Sequence, residues 1–285
     1  HVIQGLDYVN VPNDITLDIV IICKWHHFYD GTFAEKAREK YQCPVFLWVW
    51  DYMYGDYDQK FPEWHIKMIL GSDLYLGNDV RLTTPYEQAG VPRQKLYYFP
   101  FDVSSKEFKK VDMEKEYEVV FFGSHFPKGD RVEWLKAINQ VYPVKIFASN
   151  PEEWRKIGFV DAEEAVYGRE FAQAVAKSKI ILGFNVNDYC WGYWSNRVGK
   201  VLTVGGFLLY HWVPGMELFL RDGAEYFSSV DEAIQKIAYY LGNPKKRFAI
   251  AKRGYQIGRD RFTSQARIKE LMILIERYKK GAFLR

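Results

Sequence analysis

The sequence predicts an α/β protein with two domains, each built on a parallel β-sheet that helices cover on both faces. Apolar runs without polar alternation recur along the chain, and segments with helical periodicity separate them. This order is typical of parallel sheets that are buried on both faces. The pattern stops at a polar segment and then starts again, and 285 residues suffice for two such domains. The prediction is therefore two consecutive Rossmann-like domains.

The first domain is predicted from strand and helix patterns that alternate in the first third of the chain. The predicted strands span 17–23, 44–50, 73–76 and 96–99, and the predicted helices span 30–42, 63–70 and 85–89. Each strand is a short apolar run between polar or turn-forming residues, which is the pattern of a buried strand. Strands and helices thus follow one another in the order that a parallel sheet needs.

The second domain follows a segment rich in Lys, Glu and Ser over 102–116, which we interpret as a linker. Its predicted strands span 118–122, 144–148, 179–184, 207–210 and 226–227. Its predicted helices span 132–140, 170–178, 230–240, 244–259 and 264–279, with a further helix that opens at Ser195. Ser229 and Glu232 form the pattern of a capping box at a helix start.

The predicted boundaries divide the chain into three parts. Residues 1–105 form the first domain, 113–263 the second, and 264–285 a final helix. In that helix an apolar stripe follows helical spacing and consists of Ile268, Leu271, Met272, Leu274 and Ile275. The chain begins with His1 rather than Met, so we expect that upstream residues, with further strands, precede it.

Composition and charge exclude several classes of function. The net charge of +3 is small and its charges are interspersed, so nucleic acid is not an expected partner. No apolar run approaches the roughly 20 residues that span a bilayer, and no signal peptide is visible, so we expect a cytoplasmic protein. The three cysteines lack metal-binding spacing, so we expect no metal site. Cys23 and Cys43 are expected to be buried free thiols.

The segment 194–209 carries the strongest functional signal. Ser195 and Asn196 stand at the start of a predicted helix, with Ser195 as the expected cap. Arg197 and Lys200 follow on one face of that helix. A helix start offers free backbone N–H groups and the positive end of the helix dipole. The segment therefore predicts an anion site, and a nucleoside diphosphate is the obvious candidate.

A second polar loop follows the predicted strand 118–122. In this loop Gly123 and Ser124 allow an anion to approach the backbone, while Lys128 and Arg131 could neutralise the anion's charge. The loop matches neither the Walker A pattern nor GxGxxG. An ordinary turn between a strand and a helix has the same composition, so both interpretations stay open.

A third loop follows the predicted strand 179–184 and leads directly to Ser195. Asn185 and Asn187 could hydrogen-bond a sugar or the edge of a base, and the aromatic residues of 189–194 could stack on a base. A loop that merely packs over the edge of the sheet is the alternative. The convergence of this loop with the helix start and its cations favours a binding function.

Candidate general bases follow two predicted strands of the first domain. His27 comes after one strand and Asp51 directly after the next. Reaction of a hydroxyl group requires a general base near the attacking oxygen, and His or Asp usually supplies it. A structural hydrogen bond for His27 and a turn cap for Asp51 are the alternatives, and the sequence does not choose between the two residues.

The motifs of the second half resemble those of the spore-maturation-protein-B-like glycosyltransferases, a group within the group 1 transferases of GT-B fold. The resemblance rests on 119–124, 167–168, 178–185, Arg197 with Gly205-Gly206-Phe207, and the run from Ser229 to Pro244. The first domain is similar more loosely, through Asp51 and the stretch 90–100.

The resemblance implies two domains that face each other across a cleft, with the final helix returning to the first domain. It implies a hexosyltransferase-like enzyme that binds a nucleotide sugar mainly through the second domain and a carbohydrate or other hydroxyl acceptor on the first. The resemblance implies no cofactor and no obligatory metal. It also implies that the transferred sugar retains its anomeric stereochemistry. Carried over by motif, Gly123 and Ser124 would lie near the donor phosphates, and Arg197 would contact the diphosphate.

One position departs from the pattern of this group. Where these enzymes carry a Glu that binds the donor ribose, this chain has Lys200. A cation cannot accept hydrogen bonds from ribose hydroxyls. Three hypotheses follow. Lys200 binds a phosphate group, the donor is not an ordinary nucleoside diphosphate sugar, or the protein has lost catalysis.

The main hypothesis is sugar transfer. Asp51 or His27 would deprotonate the acceptor, and the cations Arg197, Lys200 and Lys128 would stabilise the departing diphosphate. The alternatives are a sugar-nucleotide epimerase of the same fold and a non-catalytic binding or coat protein.

Overall fold

The computed structural model describes residues 16–23, 31–50, 60–126, 130–185 and 190–282. The chain divides into two compact units. Unit 1 comprises His1–Pro100 and Arg277–Arg285, and unit 2 comprises Phe101–Glu276. Each unit contains a parallel β-sheet, which confirms the predicted α/β class. Among the described residues, no helix has both the length and the apolar character that a membrane span requires.

Unit 1 alternates strands and helices as its sequence pattern predicts. Its elements are β1 (Val20–Cys23), α1 (Phe33–Tyr41), β2 (Val45–Val49), α2 (Glu63–Gly71), β3 (Leu74–Gly77), α3 (Thr83–Gln88) and β4 (Leu96–Tyr98). The strands pair in parallel in the order β1-β2-β3-β4. The helices and strands bury apolar residues in one shared core, which includes Ala34, Ala37, Val45, Leu47, Met68 and Ile69.

A buried polar cluster lies next to the end of β3. The Asp79 carboxylate accepts hydrogen bonds from the Tyr75 hydroxyl at 2.7 Å and from the Tyr86 hydroxyl at 3.0 Å. His65 Nε2 lies 3.2 Å from the Tyr86 hydroxyl, and all four side chains are fully buried. Burial and the neighbouring Asp79 charge raise the pKa of Tyr86. The cluster therefore provides hydrogen-bond partners for a carboxylate inside the core and joins α2, β3 and α3.

Unit 2 contains a larger parallel sheet and more helices. Its strands are β5 (Tyr117–Phe122), β6 (Val144–Ala148), β7 (Glu163–Glu164), β8 (Ser178–Gly183), β9 (Leu208–His211) and β10 (Glu225–Phe227). Its helices are α4 (Arg131–Asn139), α5 (Pro151–Arg155), α6 (Gly168–Lys177), α7 (Arg197–Val204), α8 (Met216–Leu220), α9 (Val230–Gly242), α10 (Pro244–Ile257) and the greater part of α11 (Ser264–Lys279). The last residues of α11, from Arg277 onward, are assigned to unit 1. A short π-helix over Gly258–Phe262 joins α10 to the turn before α11.

The strand order in unit 2 is β10-β9-β8-β5-β6-β7. From β5 the chain first builds the sheet on one side through β6 and β7. It then crosses back to add β8, β9 and β10 on the other side. The direction of winding therefore reverses between β5 and β8, which are direct neighbours in the sheet.

The segment 102–116, predicted as a linker, belongs to unit 2 and is partly packed. The Val103 N–H donates to the Phe262 carbonyl at 2.8 Å, and the buried Phe108 ring meets Phe171 with the ring centroids 5.7 Å apart. Val103 and Phe108 are apolar residues within a polar stretch, and their burial attaches this segment to the domain that follows it.

The prediction that Cys23 and Cys43 are buried is wrong. Cys23 is exposed at the end of β1, which has a single neighbour among the described strands. Cys43 is partly exposed in the connection between α1 and β2, and neither cysteine forms a disulfide bond among the described residues. On α11 the side chains of Leu271, Leu274 and Ile275 are buried, whereas Ile268 and Met272 are exposed. The buried face of α11 is therefore narrower than the spacing of its apolar residues suggests. The short helices α5 and α8 carry too few residues for a periodic pattern and were not predicted.

The Ser229 cap of the predicted capping box is present, with the return bond made to the Ser228 N–H instead of the Ser229 N–H, and it gives a first testable prediction. The Ser229 hydroxyl accepts from the Glu232 N–H at 3.1 Å, and the Glu232 carboxylate accepts from the Ser228 N–H at 2.8 Å. We expect Ser229→Ala to lower the free energy of unfolding by about 1 kcal/mol, because the helix loses a side-chain cap. Urea unfolding measures this, and Ser228→Ala is the control that should have no effect. Equal stability of both variants would contradict the assignment.

Candidate functional site

The candidate site lies where β5 and β8 end, at the point where the sheet of unit 2 reverses its winding. Ligands of open α/β sheets bind outside the carboxyl ends of strands at such a switch point. The loop after β5 leads to α4, and the loop after β8 leads to α7. Both of these helices start with an arginine, Arg131 and Arg197.

Arg197 is held by the backbone and by its own loop. Its Nη1 donates to the carbonyl of Phe122, the last residue of β5, and its Nε donates to Ser195 Oγ at 2.9 Å. A Cβ atom on Gly123 would overlap Nη1 and would lie 2.7 Å from the Phe121 ring. Glycine at position 123 is therefore explained by the close approach of this guanidinium.

The start of α7 differs in detail from the prediction. The N-cap residue is Asn196, whose side chain makes no capping hydrogen bond. Ser195 precedes it, and its Oγ lies 3.4 Å from the Arg197 N–H as well as close to Arg197 Nε. Ser195 thus orients the arginine side chain more than it caps the helix. At the other end, Gly205 has φ +85° and closes α7 in the left-handed conformation.

Asn185 fixes the loop that leads into α7. Its Oδ1 accepts from the Ser195 N–H at 2.9 Å and from the buried Tyr210 hydroxyl. Its Nδ2 donates to the Tyr193 carbonyl at 2.6 Å. The amide is therefore engaged in positioning Ser195 and β9 relative to each other, and contact of Asn185 with a ligand stays a prediction.

The loop after β5 is also braced by hydrogen bonds. The Gly123 N–H donates to the Phe147 carbonyl at 2.9 Å, so this amide belongs to the sheet. Ser124 Oγ lies 2.5 Å from Ser149 Oγ, and the His125 N–H donates to Asn150 Oδ1 at 2.7 Å. These contacts connect the ends of β5 and β6 and give the loop a defined shape.

Lys200 lies one turn after Arg197. Its Nζ is 5.2 Å from the centroid of the Phe108 ring. Burial lowers the pKa of Lys200, and the nearby Arg197 lowers it further, while Glu107 partly offsets this. The ammonium group is thus in an environment that disfavours its charge.

Arg131 is the third cation at this edge and was not among the sequence's main candidates. Its side chain donates from Nη2 to the Ser124 carbonyl at 2.9 Å, and the residue is 6% exposed. A basic residue near the start of the helix after a glycine-containing loop is the signal that could have ranked it higher. Tyr210 and Gly183, which pack against each other beneath the site, carried no signal in the local sequence.

The charge balance of this edge is strongly positive. Arg131, Arg197 and Lys200 form no ion pair with a carboxylate among the described residues. Burying a cation costs several kcal/mol unless an opposite charge compensates it. The arrangement is therefore suited to a ligand that brings negative charge.

Four predicted site residues lie outside the described residues. They are the candidate bases His27 and Asp51, the cation Lys128 and the candidate hydrogen-bonding residue Asn187. Their proposed roles stay predictions.

Comparison with known families identifies the second half of the chain. The sequence profile of the glycosyl transferase-like family matches residues 131–273, which is half of the chain. The chain belongs to this family. The match begins at Arg131, the first residue of α4, and includes Arg197 and Lys200. No curated protein matches the sequence of this glycosyl transferase-like chain significantly.

Solved structures share the fold of this glycosyl transferase-like chain at low sequence identity. Anabaena Alr3699/HepE in complex with UDP-glucose is 12% identical with a TM-score of 0.68, over 91% of this chain and 78% of that chain. Sucrose-phosphate synthase from Thermosynechococcus elongatus is 9% identical with a TM-score of 0.67, over 93% and 74%. A glycosyltransferase from Rickettsia africae is 9% identical with a TM-score of 0.61, over 87% and 80%. The α/β fold with parallel sheets is thus that of GT-B glycosyltransferase structures.

Proposed function

We propose that this chain is a glycosyltransferase that moves a sugar from a nucleotide sugar to an acceptor hydroxyl without a metal ion. The observation that carries the proposal is the group of three cations at the carboxyl ends of β5 and β8, none of which has a carboxylate partner among the described residues. Family membership supports the reaction class. The Anabaena structures hold UDP and UDP-glucose, which supports a uridine nucleotide as the first donor to test.

In the proposed reaction the anionic diphosphate of the donor binds at the starts of α4 and α7. Arg197 presents a planar fork of donors that suits phosphate oxygens, and Lys200 adds a point charge. Charge develops on the leaving diphosphate as the glycosidic bond breaks, and fixed cations stabilise that charge more in the transition state than in the ground state. Arg197 and Lys200 would thereby take the role that a metal ion plays in other transferases.

The remaining parts of the mechanism extend this proposal to unit 1. We infer that the two units face each other across a cleft, that the end of α11 returns to unit 1, and that the acceptor binds to unit 1. Asp51 or His27 would remove the proton of the attacking hydroxyl. The three free cysteines fit a reducing compartment, which supports the proposed cytoplasmic location.

The test is the thermal stability of the protein with and without UDP or UDP-glucose, in buffer that contains EDTA. A ligand that binds the folded state adds about 2.7 kcal/mol at a concentration of 100 Kd, so the melting temperature should rise by several degrees. Product analysis by mass spectrometry with candidate acceptors then separates transfer from epimerisation. If no nucleoside diphosphate or nucleotide sugar stabilises the protein, the proposed donor site is wrong, and a requirement for added metal would contradict metal independence.

A further inference from the structure

Helix α10 concentrates positive charge on one short stretch of the chain. Its 14 residues contain no Asp or Glu. They contain the cations Lys245, Lys246, Arg247, Lys252 and Arg253. The net charge of the whole chain is +3, so the acidic residues that balance most of its cations lie elsewhere in the sequence. This helix is therefore a local exception to the interspersed charges of the chain.

Close packing on the inner side of α10 fixes which of its faces points outward. Ile250 and Gly254 are its buried residues. A Cβ atom at Gly254 would lie 2.4 Å from the Gly223 carbonyl oxygen and 2.9 Å from Leu202 Cδ2. The helix thus lies directly against the backbone of its neighbours, and a rotation about its axis would push a side chain into that backbone.

Lys245, Phe248 and Lys252 form a row on the outward face. Their spacing of three and then four residues places them one above the other over two helical turns, a distance of about 10 Å. All three are exposed, and Phe248 is 66% exposed. Since Ile250 and Gly254 face the protein, the phenyl ring lies in solvent between two lysines.

The two lysines of this row have no carboxylate partner. Neither Lys245 nor Lys252 forms an ion pair within the part of the chain that the structure describes. Arg253 differs, because its Nε lies 2.7 Å from the carboxylate of Asp222. The outward face of α10 therefore presents uncompensated positive charge around an exposed aromatic ring.

This combination is complementary to the surface of an anionic lipid bilayer. Lysine side chains near such a surface are attracted by its headgroups, and their flexible stems let an apolar neighbour reach the interface. An aromatic ring on a basic helix face enters the boundary between headgroups and acyl chains. Single-stranded nucleic acid also binds cations and aromatic rings, but it requires a groove that follows its backbone, whereas α10 presents the outer side of a helix.

We propose that α10 holds the protein reversibly at an anionic membrane surface. Lys245 and Lys252 contact the lipid headgroups, and Phe248 inserts between them. The inference does not depend on the proposed donor, because these residues lie on α10 and not at the ends of β5 and β8.

Co-sedimentation of the full chain with lipid vesicles tests this inference. One set of vesicles is pure phosphatidylcholine, and the other is an equimolar mixture of phosphatidylcholine and phosphatidylglycerol. We expect the protein to bind the mixed vesicles at low salt and to leave pure phosphatidylcholine unbound. Added salt should release it, because salt screens interactions between exposed charges.

Two variants separate the contributions of charge and of the ring. The double variant Lys245→Gln, Lys252→Gln should bind the mixed vesicles about 10–30-fold more weakly, since each basic residue near an anionic surface contributes about fivefold. Phe248→Ser keeps every charge and should weaken binding by about 3–10-fold. All three side chains are exposed, so the melting temperatures should match that of the wild type.

Lys67→Gln with Lys156→Gln is the matched control. It lowers the net charge by the same amount at two exposed lysines outside α10, which pair with Glu63 and Glu153. This control should bind the mixed vesicles as the wild type does.

The possible results decide the inference. Absence of binding to the mixed vesicles overturns it, and so does equal binding to pure phosphatidylcholine. Equal weakening in the control and in the α10 double variant would indicate an effect of net charge alone, and unchanged binding of Phe248→Ser would exclude insertion; both overturn it. A wild type that binds a single-stranded oligonucleotide but no vesicles would make α10 a nucleic-acid surface instead. Stabilisation by UDP should be the same in every variant, so the proposed function stands or fails separately.

Discussion

Replacing Arg197 with alanine is expected to lower the rate of sugar transfer, measured as kcat/KM, by about 10²–10³-fold. The Arg197 guanidinium is the cation that the fold positions most firmly, through the Phe122 carbonyl and Ser195 Oγ. Preorganised hydrogen-bond donors that point at a developing charge usually make the largest single contribution to an enzyme's rate enhancement. Loss of this group would therefore remove stabilisation of the leaving diphosphate that Lys200 alone cannot replace.

The measurement is the release of UDP from the nucleotide sugar that the wild type turns over. Arg197→Lys should retain part of the activity, because it keeps the charge without the bidentate geometry. Arg169→Ala is the matched control, because Arg169 is an exposed arginine on α6. The melting temperature of each variant without ligand shows whether the loop has collapsed. A folded Arg197→Ala variant with wild-type kcat/KM would remove Arg197 from the mechanism.

The elements that could be predicted from the sequence are those with a periodic pattern of sufficient length. The strand Val144–Ala148 and the helix Ser264–Lys279 have the predicted bounds, since each is a clear apolar run or a long amphipathic segment. The helices α5 and α8 each have five residues, which is less than two helical turns. The strand β7, which pairs with β6 through two residues, is likewise too short to leave a pattern in the sequence.

In the candidate site, the residues whose proximity could be predicted are those that stand close together in the sequence. Ser195, Arg197 and Lys200 stand within one helix start, so local sequence brings them together. The pairing of Arg131 with Arg197 depends on β5 and β8 being neighbours, and these strands are about 60 residues apart in the chain. Hydrophobic periodicity identifies a strand but does not name its partner. The proximity of these two arginines could therefore be found only after the sheet order was known.

The same sheet order explains a glycine whose replacement should have the largest effect on stability. Gly183 ends β8, and β9 places Tyr210 beside it. A Cβ atom at position 183 would overlap the Tyr210 ring, which is fully buried and tied through its hydroxyl to Asn185. We expect Gly183→Ala to lower the free energy of unfolding by about 1–3 kcal/mol, because the buried ring has to shift to accommodate the added methyl group.

Urea unfolding of Gly183→Ala and of two comparison variants measures this effect. Gly242→Ala is the control, because a Cβ atom there meets nothing within 4 Å and the residue ends a helix. In a Tyr210→Ala background the ring is gone, so adding Gly183→Ala should cost little, and the double-mutant cycle should show strong coupling between the two positions. Additive losses would mean that the alanine at 183 destabilises the protein by another route. Since Tyr210 also holds Asn185, and Asn185 holds Ser195, the folded fraction of Gly183→Ala should also bind UDP more weakly than the Gly242→Ala control.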